Sequence, residues 1–329
     1  MRSEIAQNSP AEKPSGVDPL RRLIVGALAG AATLAGSADV RAEIAKKKGA
    51  QEEELFNAYN RTKQFTNSEL DGTPWKAGQL GNFDVNDPIE NRLARLKMTN
   101  NLIGKRTYIP MLTRLVIGRD QLPGGVVLGA AGMFTWQLQE PDAAEFGELP
   151  EGTAVMRSMF TATYLNPETM EPVKTLKNPV NGKMMALEDY AFVENFLTFP
   201  KGGSRFVEER QFSDDDPDKP KMSLIKPWGD ELVLYAGGTY SKPGDHQPRF
   251  TENMWRCKKA DVMDPNKTLI EMSYTFMGAN KAFEKPWMGY DTNDNDMLFS
   301  LAIGQKVHRP EDIPDFHKRV LVENHPDRI

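Results

Sequence analysis

The sequence predicts a mainly β (α+β) fold: a curled or closed antiparallel, barrel-like sheet with flanking N- and C-terminal helices. Three observations predict it. From Arg106 to about Phe276 the chain is a run of short segments rich in β-branched and aromatic residues, many of them alternating in polarity. Most are bounded by turn-forming clusters such as Leu122-Pro-Gly-Gly125, Asn178-Pro-Val-Asn-Gly182 and Asp264-Pro-Asn266. No long helical period intervenes, and about eight strands in succession favour a sheet that meets itself as a barrel or sandwich.

Composition sets the outer bounds. The chain has 329 residues, 41 Lys+Arg and 46 Asp+Glu, for a formal net charge of −5. With 39% hydrophobic and 9% aromatic residues it has core material that a disordered chain lacks. Mild acidity argues against a nucleic-acid partner, which needs a cationic excess to neutralise phosphates. One cysteine, Cys257, excludes a disulfide framework and any Cys-rich metal site.

Taken from the N-terminus, residues 1–42 have the order of a leader peptide. Arg21 and Arg22 precede an uncharged Ala/Gly-rich stretch at 23–38, and small-residue cleavage sites follow at 36–38 and 40–42. The paired arginines and weakly hydrophobic stretch look twin-arginine-like and imply a periplasmic or exported protein. The alternatives are a helix within a cytoplasmic protein, or an anchor, although about 20 apolar residues are needed to span a bilayer. With the leader removed, no stable membrane insertion is expected. Residues 43–86 read as a helix over 43–64 with a thin stripe of Leu55, Ala58 and Tyr59, then a turn-rich wrapping segment. A polar helix of this kind is compatible with a homodimer.

Residues 87–329 read as one β-rich domain. Its first helix is signalled by Asp87 as N-cap, Pro88 in the first turn and Glu90 completing an Asp-x-x-Glu box. Ile89, Leu93, Leu96 and Ile103 give its helical period, and Gly104 its close. The strands follow. Residues 213–221 (SDDDPDKPK) read as a solvated loop, 297–303 as a last buried strand, and Asp312 as the cap of a closing helix carrying Ile313, Phe316, Val320 and Leu321.

Familiar catalytic signatures are absent. The sequence has no phosphate-cradling glycine motif, no Gly-x-Ser-x-Gly elbow and no His-Glu-x-x-His. His317 and His325 lie eight residues apart, a poor metal spacing, so neither metal nor cofactor is expected. Cys257 has basic neighbours that can lower a thiol pKa, but a small strand residue is the simpler reading. What remains is a set of polar and aromatic side chains within apolar strands. On a strand one face can be polar only because it meets water; inside a barrel the same residues line a pocket. In the pocket reading Glu252 or Glu194 is a general base, Arg157 and Arg205 hold an oxyanion, and Tyr164 or Tyr240 relays a proton. Trp136, Tyr240, Trp255, Tyr274 and Trp287 supply walls and Asn178 a polar contact.

Residues 165–183 (LNPETMEPVKTLKNPVNGK), 286–307 and the ending EDIPDFHKRVLVENHP carry a resemblance. Tyr164, Pro167, Glu168, Thr169, Asn178, Pro179, Asn181 and Gly182 match motifs of the bacterial domain-of-unknown-function family 1838. The resemblance runs from about Glu90 to the C-terminus, departs from the family's pattern at 190–203, and implies a barrel-like fold with no settled activity. Members of that family often carry twin-arginine-like leaders. Two functions of different class follow from the residues. One is a cofactor-independent lyase or isomerase acting on a hydrophobic, aromatic small molecule. The other is an exported binding protein for an apolar ligand. An assembly role for the 43–64 helix is a third.

Overall fold

The computed structural model describes residues 70–325, apart from 71, 79, 120–121, 207–219, 241–248, 283–284, 291–295 and 323–324. The expected leader and the 43–64 helix lie outside the described residues, as do 213–219 of the charged loop.

The domain is mainly β. Ten strands form one antiparallel sheet: β1 (Thr107–Arg119), β2 (Leu122–Gln139), β3 (Ala154–Leu165), β6 (Tyr190–Thr198), β7 (Ser204–Phe206), β8 (Leu224–Trp228), β9 (Glu231–Tyr240), β10 (Arg249–Lys258), β11 (Met272–Lys281) and β12 (Met297–Lys306). Between β3 and β6, β4 (Thr175–Lys177) and β5 (Met184–Ala186) form a separate small hairpin. The order in the sheet is β7-β6-β3-β2-β1-β12-β11-β10-β9-β8. Most neighbours are consecutive in sequence; the long-range closure is β1 with β12, from Met111↔Gly304 to Gly118↔Met297. The ladder is open, with β7 and β8 as edges, so the closed barrel expected from strand count is not what the strand pairing gives. A parallel bridge, Gly202↔Lys221, links the segments that precede the two edge strands.

Three element boundaries differ from the sequence reading. Lys259 and Ala260 leave the strand and open a short helix, Lys259–Met263, because the Lys259 amide turns to the Asp230 carbonyl at 2.8 Å. Residues 224–228 pair with β9 as an edge strand that only partly alternates and includes Pro227, which an edge tolerates. Asp312 does not cap the closing helix. Its carboxylate is held by the Arg309 guanidinium at 2.7 and 2.8 Å, and Asp315–His317 begins after Pro314.

Helix α1 (Pro88–Thr99) forms where the sequence places it but ends earlier than Ile103. Asp87 Oδ1 accepts from the amides of Ile89 and Glu90, both at 3.0 Å. Glu90 does not complete the box. Its carboxylate accepts from the Phe83 amide at 2.7 Å, one turn of chain before the cap. Ile89 and Ile103, expected in the apolar stripe, are exposed, whereas Asn91, Arg92, Lys97 and Thr99 are buried. The helix is thus enclosed on nearly all sides, and its polar residues reach backbone groups of the surrounding strands and loops.

Because side chains alternate across a strand, the register sorts the sheet into two faces. One packs on α1: Ile109, Met111, Trp136, Leu234, Trp255, Met272, Tyr274 and Ala302 form a core with Leu93, Leu96 and Met98. Further along the same face Leu115, Leu128 and Leu298 pack with Met185 and Leu187, next to Met288. The opposite face is covered by the C-terminal segment over β1–β3, where Tyr108 and Met133 meet Ile313 and Leu321, and Ala131 and Leu165 meet Val320.

Candidate functional site

Two separate covers on the α1 face leave a band between them. At one end lies α1; at the other lie the β4–β5 hairpin and residues 286–290. Thr113, Phe134, Phe160, Phe192, Asn253 and Phe276 share this face and are only half-buried. Phe134, Phe160 and Phe276 pack against the edge of the core under α1.

One side of the band is aromatic. Ile109, Phe134, Phe160 and Phe192 stand in one row across β1, β2, β3 and β6. Ring centroids are 4.6 Å apart for Phe134–Phe160 and 5.1 Å for Phe160–Phe192, within the range of favourable aromatic pairing. Next in the stack is Trp136, at 5.4 Å from Phe134, and its indole N–H donates to Ser158 Oγ at 2.8 Å.

The other side carries polar groups. Tyr274 donates its hydroxyl to Asn253 Oδ1 at 2.7 Å, and Asn253 Nδ2 donates to the Ala236 carbonyl at 3.1 Å. Trp255 packs on Tyr274 with centroids 5.6 Å apart. Only 7% of Trp255 is exposed, and its indole N–H meets no acceptor among the described residues. A buried donor of that kind is uncommon and costly unless something accepts from it.

The floor between the two sides is small. Gly132 lies between Met111 and Ala162 in register, and Thr113 lies between Ala130 and Ala302. A Cβ at Gly132 would come within 2.8 Å of Phe160 Cζ, and one at Gly278 within 2.8 Å of Phe276 Cζ. Both ring edges therefore occupy the space a side chain would need at these glycines.

Three buried cations lie at the closed end beneath α1. Lys306 is fully buried, and burial pushes its amine down to about 7. Lys97 donates to the carbonyls of Val262 and Asp264, sits 4.1 Å from the Phe83 ring centroid, and is pushed down to about 8, chiefly by burial. Arg92 donates to Gly152 O and Thr198 O, both at 2.9 Å, and burial lowers it to about 9. Cys257 shares this end, and burial pushes its thiol up to about 12, the reverse of what its basic neighbours in sequence suggest. Among the described residues no group of three or more His, Cys, Asp or Glu could hold a metal, and no helix is long and apolar enough to cross a membrane.

The residues singled out in sequence divide between the faces. Trp136, Trp255 and Tyr274 line the α1 face at the band, and Tyr164 packs on Trp287 at its far end, 5.2 Å between centroids. Glu194 stands opposite Ser158, and Tyr240 opposite Arg249. Arg157 and Glu252 fall on the opposite face. Arg157 is paired in register with Gln137 and forms a bidentate ion pair with Glu145. Glu252 stands between Gly237 and Met277. Arg205 is registered with Leu197. Asn178 is fully buried and builds the turn, accepting from the Val180 amide and donating to Met288 O at 3.2 Å. Arg157 and Glu252, expected in one pocket with Trp136, Trp255 and Tyr274, therefore stand on the other side of the sheet from them. Phe134, Phe160, Phe192, Asn253 and Phe276, not singled out in sequence, form the band, and strand parity is the signal that finds them: Asn253 and Trp255 share a parity that Glu252 lacks.

No family model matches the chain, so the resemblance to family 1838 has no support from that comparison. No curated protein matches either. One solved structure, that of a DUF1329 family protein from Desulfovibrio piger, aligns over 73% of this chain and 98% of that one, at 9% identity and a TM-score of 0.17. A likeness that loose carries no weight for function.

Proposed function

We propose that the protein binds a hydrophobic, aromatic small molecule in the band between the two covers of the α1 face, without chemistry of its own. The observation that carries this reading is the buried Trp255 N–H with no acceptor among the described residues, set diagonally across the β10–β11 pair from half-buried Phe276. An aromatic ligand with one carbonyl, ether or phenolic oxygen would stack between the rings and accept from Trp255, with Asn253 and Tyr274 at hand for a second polar contact. Support for binding over catalysis comes from Arg157 and Glu252, which stand on the other face.

A lyase or isomerase reading keeps one foothold, the register of Glu194 beside Ser158. In that reading Glu194→Gln abolishes turnover of a bound compound.

Two finer proposals go with the main one. The sheet curls part-way around α1, supported by α1 contacting both flanks: Arg92 on the β6 side and Asn91 at Ser223 before β8. Export behind a twin-arginine-like leader is supported by the order of residues 1–42.

The test is titration of the protein with a naphthol probe, followed by indole fluorescence, with recovery of the probe afterwards. Expected are saturable one-to-one binding, unchanged probe, and weaker binding by Thr113→Trp, which fills the band. Equal binding by wild type and Thr113→Trp, with matching thermal unfolding, overturns the reading.

A further inference from the structure

The face opposite α1 is covered over β1–β3 by the C-terminal segment, but over β12 and β11 it carries exposed apolar side chains. Ile303 is 67% exposed, Leu301 44% and Met277 39%. They are not scattered. Leu301 and Met277 are direct cross-strand partners, and Ile303 stands one same-face position along β12 from Leu301. Half-buried Phe299 and Met254 extend the patch on the same face. A contiguous apolar surface on a sheet face marks an interaction site more often than chance exposure does.

The charges flanking the patch indicate its occupant. One row of the sheet reads Arg114, Leu301, Met277, Glu252 across β1, β12, β11 and β10. Arg114 is exposed and Glu252 half-buried, and neither has an ion-pair or hydrogen-bond partner among the described residues. The row is a cation, two apolar residues and an anion, so it is complementary to itself when reversed. A two-fold axis running along the strands between β12 and β11 reverses it: Arg114 then faces Glu252 of the partner subunit, and Leu301 faces Met277 of the partner subunit. Packed sheets stand about 10 Å apart, a gap that an arginine and a glutamate reaching from opposite sides can close.

We infer that a second copy of this chain docks on this face, sheet against sheet, with Arg114 and Glu252 as reciprocal ion pairs around an apolar centre of Leu301, Met277 and Ile303. The interface lies on the face opposite the candidate ligand band, so it stands or falls apart from the proposed function. It also gives Glu252, without a catalytic place in that band, a role.

Sedimentation equilibrium of the full chain tests it, with circular dichroism as the control for folding. Wild type is expected to be dimeric. Arg114→Glu alone and Glu252→Arg alone each set like charges face to face and weaken the dimer about tenfold or more. The double variant Arg114→Glu with Glu252→Arg restores it, a rescue that a general loss of folding would not give. Ile303→Asp disrupts it with either charge pattern. A monomeric wild type, or a dimer indifferent to each single charge reversal, overturns the inference.

Discussion

Lys306 Nζ donates to the Met98 carbonyl oxygen at 2.9 Å, deep beneath the C-terminal end of α1. The same ammonium donates to the carbonyls of Lys97 and Asn100, both at 3.0 Å. The last turn of a helix leaves carbonyls without amide partners, and a cation there also complements the helix dipole. Here β12 supplies that cation and so fixes α1 to the sheet. Lys306→Met keeps the length of the side chain but leaves three buried acceptors unmet. Destabilisation of about 2–4 kcal/mol is expected at neutral pH, read as a lower urea midpoint.

The same group makes stability depend on pH, and the sign follows from the direction of the shift. Burial lowers Lys306 to about 7 and Lys97 to about 8, while both return to the ordinary lysine range of 10.5 on unfolding. Between those values the unfolded chain binds more protons, so stability rises with pH from about 7 upward. Cys257 works the other way only above its ordinary value of 9, because the folded thiol stays protonated to about 12. Urea midpoints are therefore expected to climb between pH 7 and 9, with a smaller climb in Lys306→Met. A fall over that interval in wild type contradicts the shifts.

The Cys257 thiol itself is expected to be inert. It is buried under α1, and burial holds it in the unreactive protonated form. Labelling by a disulfide reagent at pH 8 should be slow in the native protein, faster in Lys306→Met, and immediate in denaturant. Fast native labelling would show that the closed end of the sheet opens readily.

Local signals made the elements legible: Asp87 and Pro88 announced α1, and the turn clusters bounded most of the strands. Partnership between distant strands was not written locally. That β1 pairs with β12 depends on which edge the chain returns to, and the early pattern of Leu and Ile gives no address for it. The candidate site was half legible. Trp136, Trp255 and Tyr274, singled out as pocket walls, stand on the α1 face, where Trp255 packs on Tyr274 and Trp136 on Phe134. Arg157 and Glu252 were chosen for their chemistry, although a one-residue step along a strand reverses the face. Buried charge was the least legible feature. Arg92, Lys97 and Lys306 carry no local mark of burial, because the backbone carbonyls that hold them are placed by the fold.

Arg157, expected in sequence to hold an oxyanion, is instead expected to be dispensable for binding. Its guanidinium is held by Glu145 and lies 5.5 Å from the Phe146 ring centroid, on the face away from the band. A partly exposed pair of this kind contributes about 0.2–1 kcal/mol, so Arg157→Met should lower the urea midpoint slightly. Probe affinity should change by less than about twofold, within the tolerance for sites that share no contacts. A large loss of affinity would place the ligand on the wrong face.

Trp255→Phe separates the polar from the apolar contribution of the band. Phenylalanine keeps a ring against Tyr274 and removes only the indole N–H and part of the ring area. Among the described residues that N–H meets no acceptor, so losing it should cost little beyond the vacated volume, about 1–2 kcal/mol in the unfolding free energy. With a ligand bound, the same change removes a hydrogen bond made in a dry site. A naphthol probe should then bind about five- to tenfold more weakly, while naphthalene, which has no oxygen to accept, should lose far less. The ratio of the two losses is the decisive measurement. Equal losses for naphthol and naphthalene would mean that Trp255 acts through packing alone and that its N–H is not the contact that orients the ligand.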